Sequence, residues 1–180
     1  MASNRGAVIW LTGLPSAGKT TLAGSLSALC LRDGSAPVAL LDGDALRDCF
    51  GSPGFSAHGR RLSVLRAAVH AAIHVESTSG GVAVVALVSP FEELRREARA
   101  IVEASTPFFL VHVSTSPAQC AKWDAKGLWA RAKAGELKGL TGHDAPYEAP
   151  EKPEFVYDAA EETPVAGAAR IAAQVLERLA

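Results

Sequence analysis

Short runs of apolar, β-favouring residues alternate along the chain with longer stretches whose apolar positions recur at helical spacing. Residues 7–12, 37–41, 82–88 and 108–113 are near-continuous apolar runs of strand length. Between them, 20–32, 58–78 and 92–104 carry apolar side chains with a helical period. A fifth strand is predicted at 155–157 and a closing helix at 165–179. Strands alternating with helices imply βαβ units and right-handed crossovers. The expected fold is α/β with three layers: a five-stranded parallel sheet covered by helices on both faces. Strands without polar alternation fit that arrangement, because each is buried from two sides.

The segment 124–153 interrupts the pattern. It holds lysines, glycines and prolines but no apolar strand. Structureless stretches of this length in a compact domain are functional lids or disordered linkers. Its place between two core strands favours a lid within a single domain spanning 1–180. Composition adds exclusions. The 180 residues are 48% hydrophobic and 21% charged, with a formal net charge of −1, an ordinary globular balance. No basic stripe suggests a nucleic-acid partner. The apolar runs are too short to span a bilayer, and residues 1–6 lack a secretory h-region. Cys30, Cys49 and Cys120 form no CxxC pair, so a reducing cytoplasm is the expected compartment. Cys49 and Cys120 are expected to be buried, inert thiols.

Candidate chemistry begins at Gly13-Leu14-Pro15-Ser16-Ala17-Gly18-Lys19-Thr20, followed by Thr21. The run matches GxxxxGK[ST], follows a predicted strand and opens a predicted helix. Its glycines let the backbone wrap a phosphate with amide N–H groups inward, and the helix start adds a positive dipole end. Lys19 is expected to reach the β- and γ-phosphates of ATP, and the Thr20 hydroxyl to ligate Mg²⁺. This makes the fold a P-loop nucleotide-binding one.

A second cluster, Asp42-Gly43-Asp44, ends the second strand. Ligands of open parallel sheets sit at the carboxyl ends of the strands, so both carboxylates are expected to face the P-loop. One would hold Mg²⁺ and the other orient or deprotonate the attacking group. Asp44 as helix N-cap is the structural alternative, and the two roles are compatible.

These residues, taken together with later blocks, resemble the adenylylsulfate kinases. The blocks are Gly-Leu-Pro-Ser-Ala-Gly-Lys-Thr-Thr at 13–21, Leu-Asp-Gly-Asp-Ala-Leu-Arg at 41–47 and Gly-Phe-Ser at 54–56. Val-Ser-Pro-Phe at 88–91, Asp-Ala-Lys-Gly-Leu-Trp at 124–129 and the long run at 133–151 complete the set. The resemblance implies transfer of the ATP γ-phosphoryl group to the 3′-hydroxyl of adenosine 5′-phosphosulfate. It places Lys19, Asp42, Asp44 and Ser89 at the reaction centre. Arg47 and Arg60 would hold the phosphosulfate, Phe55 would stack on the acceptor adenine unless it packs in the core, and Val88 and Ser89 would line the acceptor site. Lys126 and Lys138 would close over the anions, with a merely solvated loop as the alternative. Family members commonly form dimers, so a homodimer is also implied.

The chain departs from the family pattern mainly on the acceptor side. Ala45 stands where asparagine is usual, Ser63 where another asparagine contacts the acceptor, and Leu140 where a phenylalanine sandwiches its adenine. Trp123 stands in the lid where arginine is usual. A kinase for another anionic nucleotide, such as cytidine diphosphoramidate, is therefore the alternative, and a non-catalytic nucleotide-binding regulator the third reading. His70 and His74 lie at i,i+4 but lack the pattern of a zinc site, and Trp10 reads as core. Arg95, Arg96 and Arg99 interleaved with glutamates read as a salt-bridged solvent face.

Overall fold

The computed structural model describes residues 6–32, 37–51, 54 and 56–180. Strand β1 (Ala7–Gly13) is buried along its whole length and forms the middle of the sheet. It leads through the P-loop into α1 (Lys19–Arg32), then β2 (Val38–Asp42) and α2 (Gly43–Phe50). Next come α3 (Ala57–Ser77), β3 (Val82–Ala86), α4 (Glu92–Glu103) and β4 (Phe108–Val113). Helices α5 (Pro117–Trp123) and α6 (Leu128–Lys133), strand β5 (Phe155–Tyr157) and α7 (Pro164–Leu179) complete the chain. The sheet is parallel throughout, in the order β2-β3-β1-β4-β5.

The pleat of β1 divides the core into two layers. Ile9 and Leu11 point to the side packed by α1 and α7, where Leu22, Leu26, Ile171 and Val175 are buried. Val8 and Trp10 point to the side packed by α3 and α4, with Val64, Ala68, Leu94 and Val102. Polar caps set the helix starts. The Ser56, Ser116 and Thr163 side chains accept from Gly59 N, Gln119 N and Ala166 N, and proline follows directly at 117 and 164.

Several expectations are corrected. Apolar periodicity does not indicate helices α2, α5 and α6: each is eight residues or fewer, too short to show a clear apolar period. Strand β3 stops at Ala86, two residues before the apolar run ends. Strand β2 is not buried from both sides. It is the sheet edge, and Leu40 is 43% exposed. Segment 124–153 is not structureless either: Trp129, Ala132 and Leu140 belong to the core, and Asp144 accepts from Gly139 N and Leu140 N to close a tight loop. Cys120 is buried, its thiol pKa pushed up to about 11 by desolvation, whereas Cys49 on α2 is exposed. Arg95 lies inside the protein at 2% exposure, because α4 turns it under the chain that follows Tyr147. His70 stacks on Phe50, and His74 Nε2 lies 3.3 Å from the Pro37 carbonyl. No helix among the described residues is long and apolar enough to cross a membrane.

Candidate functional site

The loop between β1 and α1 supplies the cradle. Ser16 has φ 66° and Gly18 φ 98°, left-handed conformations that a phosphate-binding nest uses. Space at 18 is tight as well, since a Cβ there would lie 3.1 Å from the Ala159 Cβ. Ala17 N donates to Leu14 O at 3.1 Å and closes the turn. The loop's outer carbonyls are taken by distant partners: Trp129 Nε1 donates to Pro15 O at 3.1 Å, and Thr115 Oγ1 to Ala17 O at 2.9 Å.

Lys19 folds back over the loop, its Nζ donating to Gly13 O at 3.0 Å and Leu14 O at 2.7 Å. Desolvation of the ammonium lowers its pKa to about 8. An amine so placed is a cation waiting for an anion. The next residue, Thr20, is exposed and its Oγ1 donates to Asp42 Oδ2 at 2.7 Å. Asp42 also caps α2, its Oδ1 accepting from Asp44 N at 2.9 Å. The cap is therefore Asp42 and not Asp44.

Asp44 is paired with Arg47 one helical turn on and with Lys126 of the segment after α5. Burial alone would raise its pKa, but the Lys126 hydrogen bond and the Arg47 charge outweigh it and hold the carboxyl below the usual carboxylate range. Thr20, Asp42, Asp44, Arg47 and Lys126 thus form one hydrogen-bonded and ion-paired cluster, with Lys19 next to Thr20 at the start of α1 and turned onto the loop carbonyls. All six are sequence candidates, but Arg47 and Lys126, expected on the substrate anions, are here paired with Asp44.

The remaining candidates are placed differently. Arg60 donates to Thr141 Oγ1 at 2.6 Å and Gly139 O at 2.8 Å, fastening α3 to the segment before β5. Ser63 Oγ bonds back to Gly59 O at 3.0 Å within its own helix. Ser89, at φ 37°, is 3% exposed, and its Oγ accepts from Trp10 Nε1 at 3.1 Å. Val88 presents its carbonyl to Thr12 Oγ1 at 2.7 Å. Leu140 is buried in the core at 7% exposure, and Lys138 is exposed. Phe55 lies outside the described residues.

Three contributors escaped the sequence reading. Trp129 and Thr115 hold the cradle from outside, and Arg95 donates to Ser89 O at 2.8 Å and Glu148 O at 2.7 Å beneath the Ser89 turn. Trp129 closes the Asp-Ala-Lys-Gly-Leu-Trp block at 124–129, its one signal in the sequence. The other two depend on contacts across 98 and 53 positions of chain.

Comparison with known proteins places this geometry in context. A family model described as adenylylsulphate kinase matches residues 5–158. The chain is 42% identical over 161 residues to a sulfate adenylyltransferase of Gibberella zeae, covering 88% of this chain and 27% of that protein. It is 40% identical over 163 residues to one of Coccidioides immitis, covering 89% and 28%. The chain thus spans little more than a quarter of the length of these curated relatives. Among solved structures, the Mycobacterium tuberculosis APS kinase CysC in complex with AMPPNP and APS superposes with a TM-score of 0.89 at 31% identity, covering 95% of this chain and 98% of that one.

Proposed function

This chain belongs to the adenylylsulphate kinase family, and from that premise we propose that it transfers the γ-phosphoryl group of ATP to the 3′-hydroxyl of adenosine 5′-phosphosulfate. The observation that carries the proposal is the bonded run of Thr20, Asp42 and Asp44 at the carboxyl end of the sheet, with Lys19 beside Thr20 and turned onto the cradle. The cradle loop leads directly into Thr20, and the Asp42 carboxylate meets that hydroxyl.

In this reaction the acceptor 3′-oxygen forms a bond to the γ-phosphorus as the bond to the β,γ-bridging oxygen breaks, and ADP leaves. The cradle holds the phosphates, and Lys19 moves from its two carbonyls onto the β- and γ-oxygens to offset charge in the transition state. Asp44 accepts the hydroxyl proton. A carboxylate with a lowered pKa is a weak base, which suits a loose transition state in which the proton departs late. Its main contribution is orientation of the nucleophile. Ser89 supports the floor of the acceptor site through its backbone turn.

Thr20 and Asp42 fit a hard divalent cation. Their oxygens already lie 2.7 Å apart at the cradle mouth, and a magnesium ion takes one or two protein oxygens with the rest from phosphates and water. When bound, Mg²⁺ would neutralise charge on the β- and γ-phosphate oxygens.

The acceptor side supports a second reading. Leu140 offers no ring for stacking and is buried, and the Ser63 hydroxyl is spent on its own helix. A kinase for a different nucleotide bearing a small anionic group would tolerate both. A panel of nucleotide acceptors in a coupled ADP-release assay separates the readings. Strict preference for adenosine 5′-phosphosulfate supports the first, and its failure above the ATPase background, with turnover of another member, supports the second.

A further inference from the structure

We propose that Trp129 and Thr115 are positioning residues for the phosphate cradle, holding two peptide planes of the loop so that the Ser16 and Gly18 N–H groups face the nucleotide phosphates.

The argument rests on peptide geometry. In a trans peptide the carbonyl oxygen and the following N–H point in opposite directions within one plane, and no cis peptide occurs among the described residues. Trp129 Nε1 draws the Pro15 oxygen outward, so the Ser16 N–H is turned the other way. Thr115 Oγ1 does the same to Ala17, and so to the Gly18 N–H. The two donors therefore act on alternate peptides of a short loop, each just ahead of a left-handed residue. Ser16 resists its conformation, as any residue with a Cβ does, and the outward pull on its preceding carbonyl opposes relaxation.

Both donors are committed to this task. The Thr115 hydroxyl accepts from Ala159 N at 3.2 Å, which leaves its single proton for Ala17 O, and the residue is 2% exposed. The indole N–H of Trp129 is a donor only, and its ring is wedged beside Leu14. A Cβ added at Gly142 would lie 2.5 Å from Leu14 Cδ2 and 3.3 Å from Trp129 Cη2. Glycine at 142 thus leaves room for the ring that reaches the loop. Through Trp129, helix α6 and the segment around Lys126 share a foundation with the cradle. The inference rests on the proposed kinase reading only in taking a nucleotide polyphosphate as the cradle's ligand.

The test is calorimetric titration of the full chain with ADP, alongside thermal unfolding. Trp129→Phe keeps a ring but loses the N–H, and Thr115→Val keeps the shape but loses the hydroxyl. Each is expected to weaken ADP binding about tenfold, the scale of one hydrogen bond, while Thr115→Ser restores wild-type affinity. Unchanged ADP affinity in folded Thr115→Val, or equal losses in Thr115→Val and Thr115→Ser, would overturn the proposal. If Trp129→Phe does not fold, the Thr115 pair decides alone. Absence of turnover with adenosine 5′-phosphosulfate would sink the acceptor assignment and leave the ADP measurement, and this inference, intact.

Discussion

The Thr20 hydroxyl donates to Asp42 Oδ2 at 2.7 Å, and that bond joins the first turn of α1 to the carboxyl end of β2. The second oxygen of the same carboxylate caps α2 through Asp44 N. One side chain therefore sets the cradle mouth and the helix that carries Asp44 and Arg47. The two contributions separate by substitution. Asp42→Asn keeps an oxygen for the cap but removes the charge, so turnover in an ADP-release assay should fall at least about 100-fold, with little change in melting temperature. Asp42→Ala removes the cap as well and should cost about 1 kcal/mol of stability by denaturant titration.

Lys126 holds the Asp44 carboxyl low on the pH scale. Burial pushes the Asp44 pKa up, and the Lys126 bond with the Arg47 charge brings it below its ordinary value. A carboxyl whose folded pKa is depressed stabilises the fold above its unfolded pKa, and that contribution is lost as pH falls through the folded value. Lys126→Met removes the bond and the charge. The acid limb of kcat/KM should then move to higher pH than in the wild type. Superimposable profiles would show that Asp44 does not govern that limb.

Lys19 predicts proton uptake on nucleotide binding. Desolvation lowers its pKa to about 8 in the free protein, and an adjacent polyphosphate favours the charged form. ADP binding at pH 8 should therefore take up about half a proton, measurable by calorimetry in buffers of different ionisation enthalpy. ADP affinity should fall as pH rises above 8. The same lysine makes its charged form a cost to the empty fold. That cost is constant below pH 8 and is relieved between pH 8 and the unfolded value of about 10.4.

Arg95 should be among the most sensitive positions for stability. Its guanidinium, 2% exposed, donates to Ser89 O, Glu148 O and, at 3.0 Å, Glu92 Oε2. Arg95→Met leaves those acceptors without their donor and should cost about 3–5 kcal/mol in chemical denaturation. Arg95→Lys should recover only part of it, because an ammonium cannot span the same fork of acceptors.

The sequence was most legible where one local period or motif governs the structure. The buried strands β1 and β4, the long helices α1, α3, α4 and α7, and the Lys19–Thr20 and Asp42–Asp44 cluster all lie at the positions their patterns indicated. It was least legible where distant partners decide. Arg95 sits in a charged run and reads as solvent-facing, yet Ser89 and Glu148 draw it inside. Arg60, an anion ligand by resemblance, donates to Thr141 and Gly139, partners 81 and 79 positions away that no local pattern announces. Segment 124–153 reads as a structureless lid because its core contacts are few, Trp129 and Ala132 on one short helix and Leu140 beyond it, too few to show a period.

The most direct test follows the phosphorus itself. ATP labelled at the γ-phosphate is incubated with the chain, magnesium and adenosine 5′-phosphosulfate, and the products are separated. The account predicts label on the 3′-oxygen of the acceptor in one-to-one ratio with ADP, and its loss in Lys19→Ala. Label appearing only as inorganic phosphate, at a rate indifferent to the acceptor, would contradict it.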